Sequence, residues 1–186
     1  MLRVFSYAKN FMTRSTTVLA VRKNNDVIMI GDGQITVGSI KCKTNAVKIR
    51  KISEGQVICG FAGTAADCLA MVDLLEKEFE KYKNQTLRCC VNIAKLWRTD
   101  KYHRHLSCDI VVSDKDLTIL MNGQGDVIQI EDGIVGIGSG GHYAAAAAKA
   151  LWPLKEFTAE EIAKRSMEIA SDMCIYTSKK YIIEKI

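Results

Sequence analysis

Two hydrophobic periods divide this chain. Residues 16–23 (TTVLAVRK) and 27–31 (VIMIG) are rich in β-branched and other apolar side chains, with Asn24-Asn25-Asp26 between them, a hairpin-turn composition. Residues 47–52 (VKIRKI) alternate apolar and basic, the pattern of a half-solvated strand, which puts Lys48 on that strand. After Glu54-Gly55 the apolar run QVICGFAG follows. Short, turn-connected, antiparallel strands are predicted for this first part.

The period then changes to that of a helix. Ala65, Cys68, Leu69, Val72, Leu75, Phe79 and Tyr82 recur at three- and four-residue steps, and Leu87, Cys90, Val91, Ala94 and Trp97 repeat the pattern after Asn84-Gln85. Strands return at 108–113, 117–121, 127–130 and 134–138, separated by turn-forming Asp, Asn and Gly. A third helix, HYAAAAAKALW, stops at Pro153, and a fourth opens on Thr158-x-x-Glu161, a capping box. The tail KKYIIEKI reads as a last strand. Helices that arrive in pairs do not fit a βαβ series. Two antiparallel sheets packed together with helices outside them satisfy the order.

Composition narrows the class. At 186 residues, 48% hydrophobic and 25% charged, the chain reads as one globular domain, with no apolar run near the roughly 20 residues of a membrane span. Seven cysteines at 42, 59, 68, 89, 90, 108 and 174 contain no Cys-x-x-Cys spacing, so they read as buried thiols of a reducing compartment. The net charge is +5, but residues 1–15 (MLRVFSYAKNFMTRS) hold Arg3, Lys9 and Arg14 and no acid, leaving 23 basic against 21 acidic residues, +2, for the rest. A basic, hydroxyl-containing segment without a continuous apolar stretch has the composition of an organelle transit peptide, mitochondrial before others. Without it, no basic face interleaved with aromatics remains to suggest nucleic acid.

One motif misleads. Gly136-x-Gly138-x-x-Gly141 matches a dinucleotide fingerprint, but an acid about 20 residues on should end a second parallel strand, and here that distance falls on Glu160 and Glu161 inside a predicted helix. A glycine turn beside an active site is the better account, and no nucleotide is expected on this chain. His103, His105 and His142 are too few and too scattered for a metal site.

Other residues form an ordered set. Thr16-Thr17 opens the first strand. Gly31-Asp32-Gly33-Gln34, Lys48, Gly60-Phe61-Ala62-Gly63, Trp97-Arg98-Thr99-Asp100, Gly138-Ser139-Gly140-Gly141 and Asp172-Met173-Cys174-Ile175-Tyr176-Thr177 follow. In this order, from Thr16 almost to the end, the chain resembles the HslV (ClpQ) family of proteasome-like peptidases, which are N-terminal nucleophile hydrolases. The resemblance implies an α+β fold, a four-layer αββα sandwich. It also implies removal of residues 1–15 and a peptidase domain over 16–186 with Thr16 as its nucleophile.

The chemistry suits these residue types. A threonine hydroxyl is a poor nucleophile until a base takes its proton, and at a chain terminus its own α-amine, with a reference pKa of about 8, can serve. The resemblance makes Lys48 the nearby cation. At about 4 Å and an effective dielectric near 20 it disfavours the ammonium form by roughly 4 kcal/mol, keeping the amine neutral. Asp32 is expected to fix Lys48, the Gly60 N–H to serve as oxyanion donor, and Ser139 to support the amine. The family also binds sodium through three backbone carbonyls, which fall on Ser171, Cys174 and Thr177. Where Ser171 stands the family has glycine, a change the carbonyl set tolerates unless the backbone there needs an angle only glycine permits.

The implied partners are further copies of the chain in a double hexameric ring, a dodecamer, an HslU-type (ClpY) ATPase and unfolded protein substrates. The chain has no Walker motif, so a separate subunit would hydrolyse ATP. Two alternatives stay open: a catalytically silent ring subunit that keeps its leader, and a small-molecule amidase of the same fold.

Overall fold

The computed structural model describes residues 16–101 and 107–186. The leader, His103 and His105 lie outside the described residues. In chain order the elements are β1 (Thr17–Lys23), β2 (Asp26–Asp32), β3 (Ile35–Val37), β4 (Ile40–Lys43), β5 (Ile49–Ile52) and β6 (Val57–Gly63), then helices α1 (Ala65–Lys81) and α2 (Thr86–Thr99). There follow β7 (Cys108–Ser113), β8 (Thr118–Met121), β9 (Val127–Gln129), β10 (Ile134–Gly138), α3 (Gly141–Leu151), α4 (Ala159–Met173) and β11 (Tyr181–Lys185).

Two antiparallel sheets form the centre. One has the order β10-β1-β2-β11 and the other β5-β6-β7-β8-β9. Successive side chains of a strand point to opposite faces, and β1 uses both faces for burial. Val18 and Ala20 enter the space between the sheets with Met29, Ile58 and Val111. Leu19 and Val21 turn outward onto Ala144, Ala148, Ile162 and Met167 of α3 and α4. On the second sheet Cys59, Phe61, Ile110 and Val112 meet Met71, Leu75, Phe79, Ile93 and Trp97 of α1 and α2. Helix pair, sheet, sheet, helix pair: this is the four-layer αββα sandwich. Each fully buried Leu, Ile or Phe contributes about 1.5–3 kcal/mol, so both strand faces are stabilising and β1 reads as a continuous apolar run.

Local signals hold where they have a mechanism. Asn24 takes the left-handed φ of 55° in the β1–β2 turn. At α4 the Glu161 N–H donates to Thr158 Oγ1 (3.2 Å) and the Thr158 N–H to Glu161 Oε2 (2.8 Å), a complete capping box. The alanine run of α3 lets it lie close against α4, with Ala144 and Ala148 fully buried.

Three expectations change. Lys48 lies just before β5 rather than on a strand, and it is buried rather than solvated. Leu69 and Leu87, counted on the apolar helix faces, are exposed; Met71 and Cys89 take the inward positions. The hairpin β3–β4 was not read from sequence. Its strands are three and four residues long and β4 is exposed throughout, so no apolar alternation marks it.

Candidate active site

The start of β1 is held on three sides. The carbonyl of Thr16 accepts from the Ser139 N–H (2.8 Å), and Thr17 pairs with Gly138 of β10. Gly138 has φ 79°, and a Cβ there would run into the Thr16 carbonyl, so glycine is needed twice over. Behind this, Thr17 Oγ1 shares a hydrogen bond with Thr177 Oγ1 (2.7 Å) and accepts from the Gly140 N–H (2.9 Å). The glycine motif is therefore a turn that clamps Thr16 and Thr17. The strand it follows, β10, runs antiparallel to β1, not as the parallel strand of a dinucleotide site.

Asp32 is the hub. Its carboxylate is fully buried and accepts four donors: Thr17 N–H (2.9 Å) and Lys48 Nζ (2.9 Å) on Oδ1, Gln34 N–H (3.0 Å) and Ser178 N–H (3.1 Å) on Oδ2. Three segments remote in sequence, together with neighbouring Gln34, thus converge on one charge. Lys48 Nζ donates a second bond to the Gln34 carbonyl (2.6 Å). Burial pulls the Lys48 ammonium below the ordinary lysine pKa, and the Asp32 carboxylate opposes that shift. The lysine is positioned as a fixed cation with no freedom to wander.

Two clefts meet at Thr16. One, of about 260 Å³, is lined by Gly63, Cys108, Asp109, Gly138 and Ser139 besides Thr16. The other, of about 270 Å³, is more apolar, and Ala46, Val47, Lys48, Phe61 and Val72 line it along with Thr16. The fold therefore brings Thr16, Lys48 and Ser139 to common walls, with Asp32 directly behind Lys48.

Gly60 is not brought there. A Cβ on Gly60 would meet Val18 Cγ1 at 2.6 Å and Met29 Sδ at 2.7 Å, so this glycine faces the space between the sheets. The Phe61 N–H donates to the Lys48 carbonyl (3.0 Å), and the alternation of an antiparallel ladder then turns the Gly60 N–H toward β7. Gly63, two residues beyond Phe61, directs its N–H to the side that β5 no longer covers, and it lines both clefts. The sequence signal was present in Gly60-Phe61-Ala62-Gly63; strand parity chooses between its two glycines. Other contributors the sequence did not reveal are the Gln34 carbonyl and the Ser178 N–H, since backbone groups carry no residue signature.

The three positions expected for sodium span the last turn of α4 and the turn after it. The Cys174 N–H donates to the Ala170 carbonyl (2.8 Å), and the Thr177 N–H to the Cys174 carbonyl (2.9 Å). Ser171 lies inside α4 with helical backbone, so its replacement of glycine brings no strain. Its carbonyl lies past the last bond of the helix ladder, where acceptors want an outside partner.

Comparison with known proteins decides the family. The proteasome subunit family matches residues 12–186. This chain belongs to the proteasome family. Among its relatives, an "ATP-dependent protease subunit HslV" from Wolbachia sp. subsp. Brugia malayi (strain TRS) is 47% identical over 171 residues, 92% of this chain and 97% of that one. The protein of the same name from Paramagnetospirillum magneticum (strain ATCC 700264 / AMB-1) is 46% identical, covering 92% and 94%. The crystal structure of eukaryotic HslV from Trypanosoma brucei matches with a TM-score of 0.87 at 41% identity, covering 91% of this chain and 98% of that chain.

Proposed function

We propose that this chain is the threonine peptidase subunit of an ATP-dependent, self-compartmentalising protease, and that Thr16 becomes its nucleophile once residues 1–15 are removed. The observation that carries this reading is the position of Thr16. It immediately precedes β1 at the junction of two clefts, with a buried lysine on one wall and glycine-turn backbone on the other. Relatives at 46–47% identity are named as protease subunits.

The reaction follows from the groups present. The freed α-amine of Thr16 takes the proton from its own hydroxyl, and Lys48 keeps that amine neutral. Thr16 Oγ adds to the peptide carbonyl, and the Gly63 N–H, rather than that of Gly60, donates to the developing oxyanion. The proton passes to the leaving amine, and water then hydrolyses the Thr16 ester. Ser139 holds the threonine in place through its backbone. Asp32 acts through Lys48 and Thr17 and touches no substrate.

The assembly is a double hexameric ring working with an HslU-type ATPase on unfolded proteins. Exposed apolar side chains at the end of α4, Met173 and Ile175, suit contact with a neighbouring subunit. Residues 1–15 direct import into mitochondria, which a reporter fused to them tests; a cytosolic signal would reject it. The carbonyls of Ser171, Cys174 and Thr177 fit an alkali cation, since they are neutral hard oxygens. Among the described residues no cluster of three His, Cys, Asp or Glu offers an alternative metal site. If replacing sodium by a bulky organic cation leaves melting unchanged, the sodium site is absent.

The deciding experiment pairs Thr16→Ala with N-terminal sequencing of the mature wild-type chain. Peptidase activity is lost in a variant that still folds and assembles, and the wild-type chain begins at Thr16. Full turnover by a correctly processed Thr16→Ala protein would sink the assignment.

A further inference from the structure

One cysteine lines each of the two clefts. Cys68, in the first turn of α1, lines the apolar cleft, and Cys108, the first residue of β7, lines the other. Their sulfur atoms lie 3.5 Å apart. A disulfide needs about 2.05 Å, so an approach of about 1.5 Å joins them. The segments that carry them are already tied together. Gly63 pairs with Cys108, and the Ser107 N–H donates to Asp67 Oδ2 (3.0 Å), next to Cys68.

The two thiols are not equivalent. Cys68 is half-buried and reachable through its cleft, whereas Cys108 is buried. The hydrogen bond from Cys108 holds the Cys68 pKa below the ordinary thiol value; burial, Asp67 and Asp109 oppose this, and Lys48 assists. The same hydrogen bond and burial push Cys108 up. An accessible, acidified thiol beside a buried neutral one is the arrangement of an attacking and a resolving cysteine. Cys59, Cys89 and Cys90 are buried with raised pKa values, and exposed Cys42 on β4 lines neither cleft.

We propose that Cys68 and Cys108 form a peroxide-driven disulfide that reversibly shuts down the peptidase site. The Cys68 thiolate attacks one oxygen of hydrogen peroxide, the O–O bond breaks, and sulfenic acid and hydroxide result, the hydroxide taking up the proton that Cys68 had released to give water. The Cys108 thiol then displaces the hydroxyl from that sulfur, giving the disulfide and a second water. Two thiols are oxidised by two electrons and one peroxide is reduced. Bridging draws the first turn of α1 onto β7 and displaces the wall they share, including Gly63, which lines both clefts. The loss of turnover rests on the reading of Thr16 as nucleophile; formation of the disulfide does not.

The test uses the full chain, processed as recovered and combined with its ATPase partner. It is treated with hydrogen peroxide and digested without reduction. Mass spectrometry is expected to find a peptide joining Cys68 to Cys108, lost on reduction with dithiothreitol and absent from Cys68→Ser and Cys108→Ser. The ratio of oxidised to reduced peptidase rate, taken within each protein, falls by up to about a hundredfold in wild type, the scale on which ångström displacements at a reacting centre act. In either serine variant the ratio stays near one. Peroxide sufficient to oxidise Cys42 that leaves Cys68 and Cys108 unlinked overturns the proposal. So does a fully linked protein with an unchanged rate ratio. A reduced wild type without Thr16-dependent turnover defeats the nucleophile assignment instead, and the linked peptide still decides the disulfide.

Discussion

Asp32→Asn tests the core of the site most sharply. The carboxylate offers Oδ1 to Thr17 and Lys48 and Oδ2 to Gln34 and Ser178. Asparagine keeps one oxygen and puts an NH₂ at the other position, so in either orientation two of the four donors face another donor. It also leaves the Lys48 ammonium buried without its counter-charge. Removing one partner of a buried pair costs about 3–5 kcal/mol, a large part of a stability of roughly 5–15 kcal/mol. At about 2–4 °C per kcal/mol for a chain of this size, melting should fall by roughly 6–20 °C. Lys48→Met should cost less, because three backbone N–H donors still satisfy the carboxylate. The double substitution should cost less than the sum of the singles, by about 0.5–3 kcal/mol of coupling. Thermal melts at fixed protein concentration, followed by circular dichroism, measure all four proteins.

Two results would refute this reasoning: Asp32→Asn melting within about 2 °C of wild type, or a double mutant equal to the sum. A pH series adds a check of sign. The folded Lys48 pKa lies below the unfolded 10.5, so between the two the unfolded chain holds a proton that the native one has released. Stability therefore rises with pH through that window, and wild type should gain on Lys48→Met as pH climbs toward 10.5.

The remaining predictions concern backbone and assembly. Gly60→Ala forces a methyl against Val18 and Met29, costing about 1–3 kcal/mol of stability, while kcat of the folded fraction stays near wild type. If that variant keeps its stability and loses kcat, the Gly60 N–H is the oxyanion donor after all. Native mass spectrometry should give a mass near twelve subunits. Peptide cleavage should be weak alone and rise with an HslU-type ATPase and ATP. A fully active monomer would defeat the compartment reading.

Much of the architecture was legible because burial follows period. Both faces of β1 are buried, so it reads as an unbroken apolar run, and the capping box at Thr158 sets the start of α4 before any packing is known. Lys48 shows where periodicity stops. Alternation in VKIRKI places it on the polar face with Arg50, and only the distant Asp32 explains why it turns inward. Leu69 and Met71 fail for a related reason. Either could face the sheet on a helical wheel, and the position of α1 over β6 decides. At Gly60 and Gly63 residue type is silent, and hydrogen-bond parity along β6 carries the distinction.

The same parity explains why the chemistry sits at strand ends. Along the interior of β6 each N–H is bound to β5 or β7, so no interior donor remains for an oxyanion. Only where β5 has not begun, beside Gly63, can a central strand present its N–H outward. Thr16, one residue before β1, reaches the same edge because Thr17 is locked to Asp32 and Gly138. Lys48 reaches it because it precedes β5 by one residue, its carbonyl still bound to the Phe61 N–H and its ammonium turned to Asp32. The proposed nucleophile, cation and oxyanion donor thus lie at the ends of three strands in two sheets. A change in how the sheets stack would move all three together, so Asp32→Asn is expected to lower turnover as well as stability.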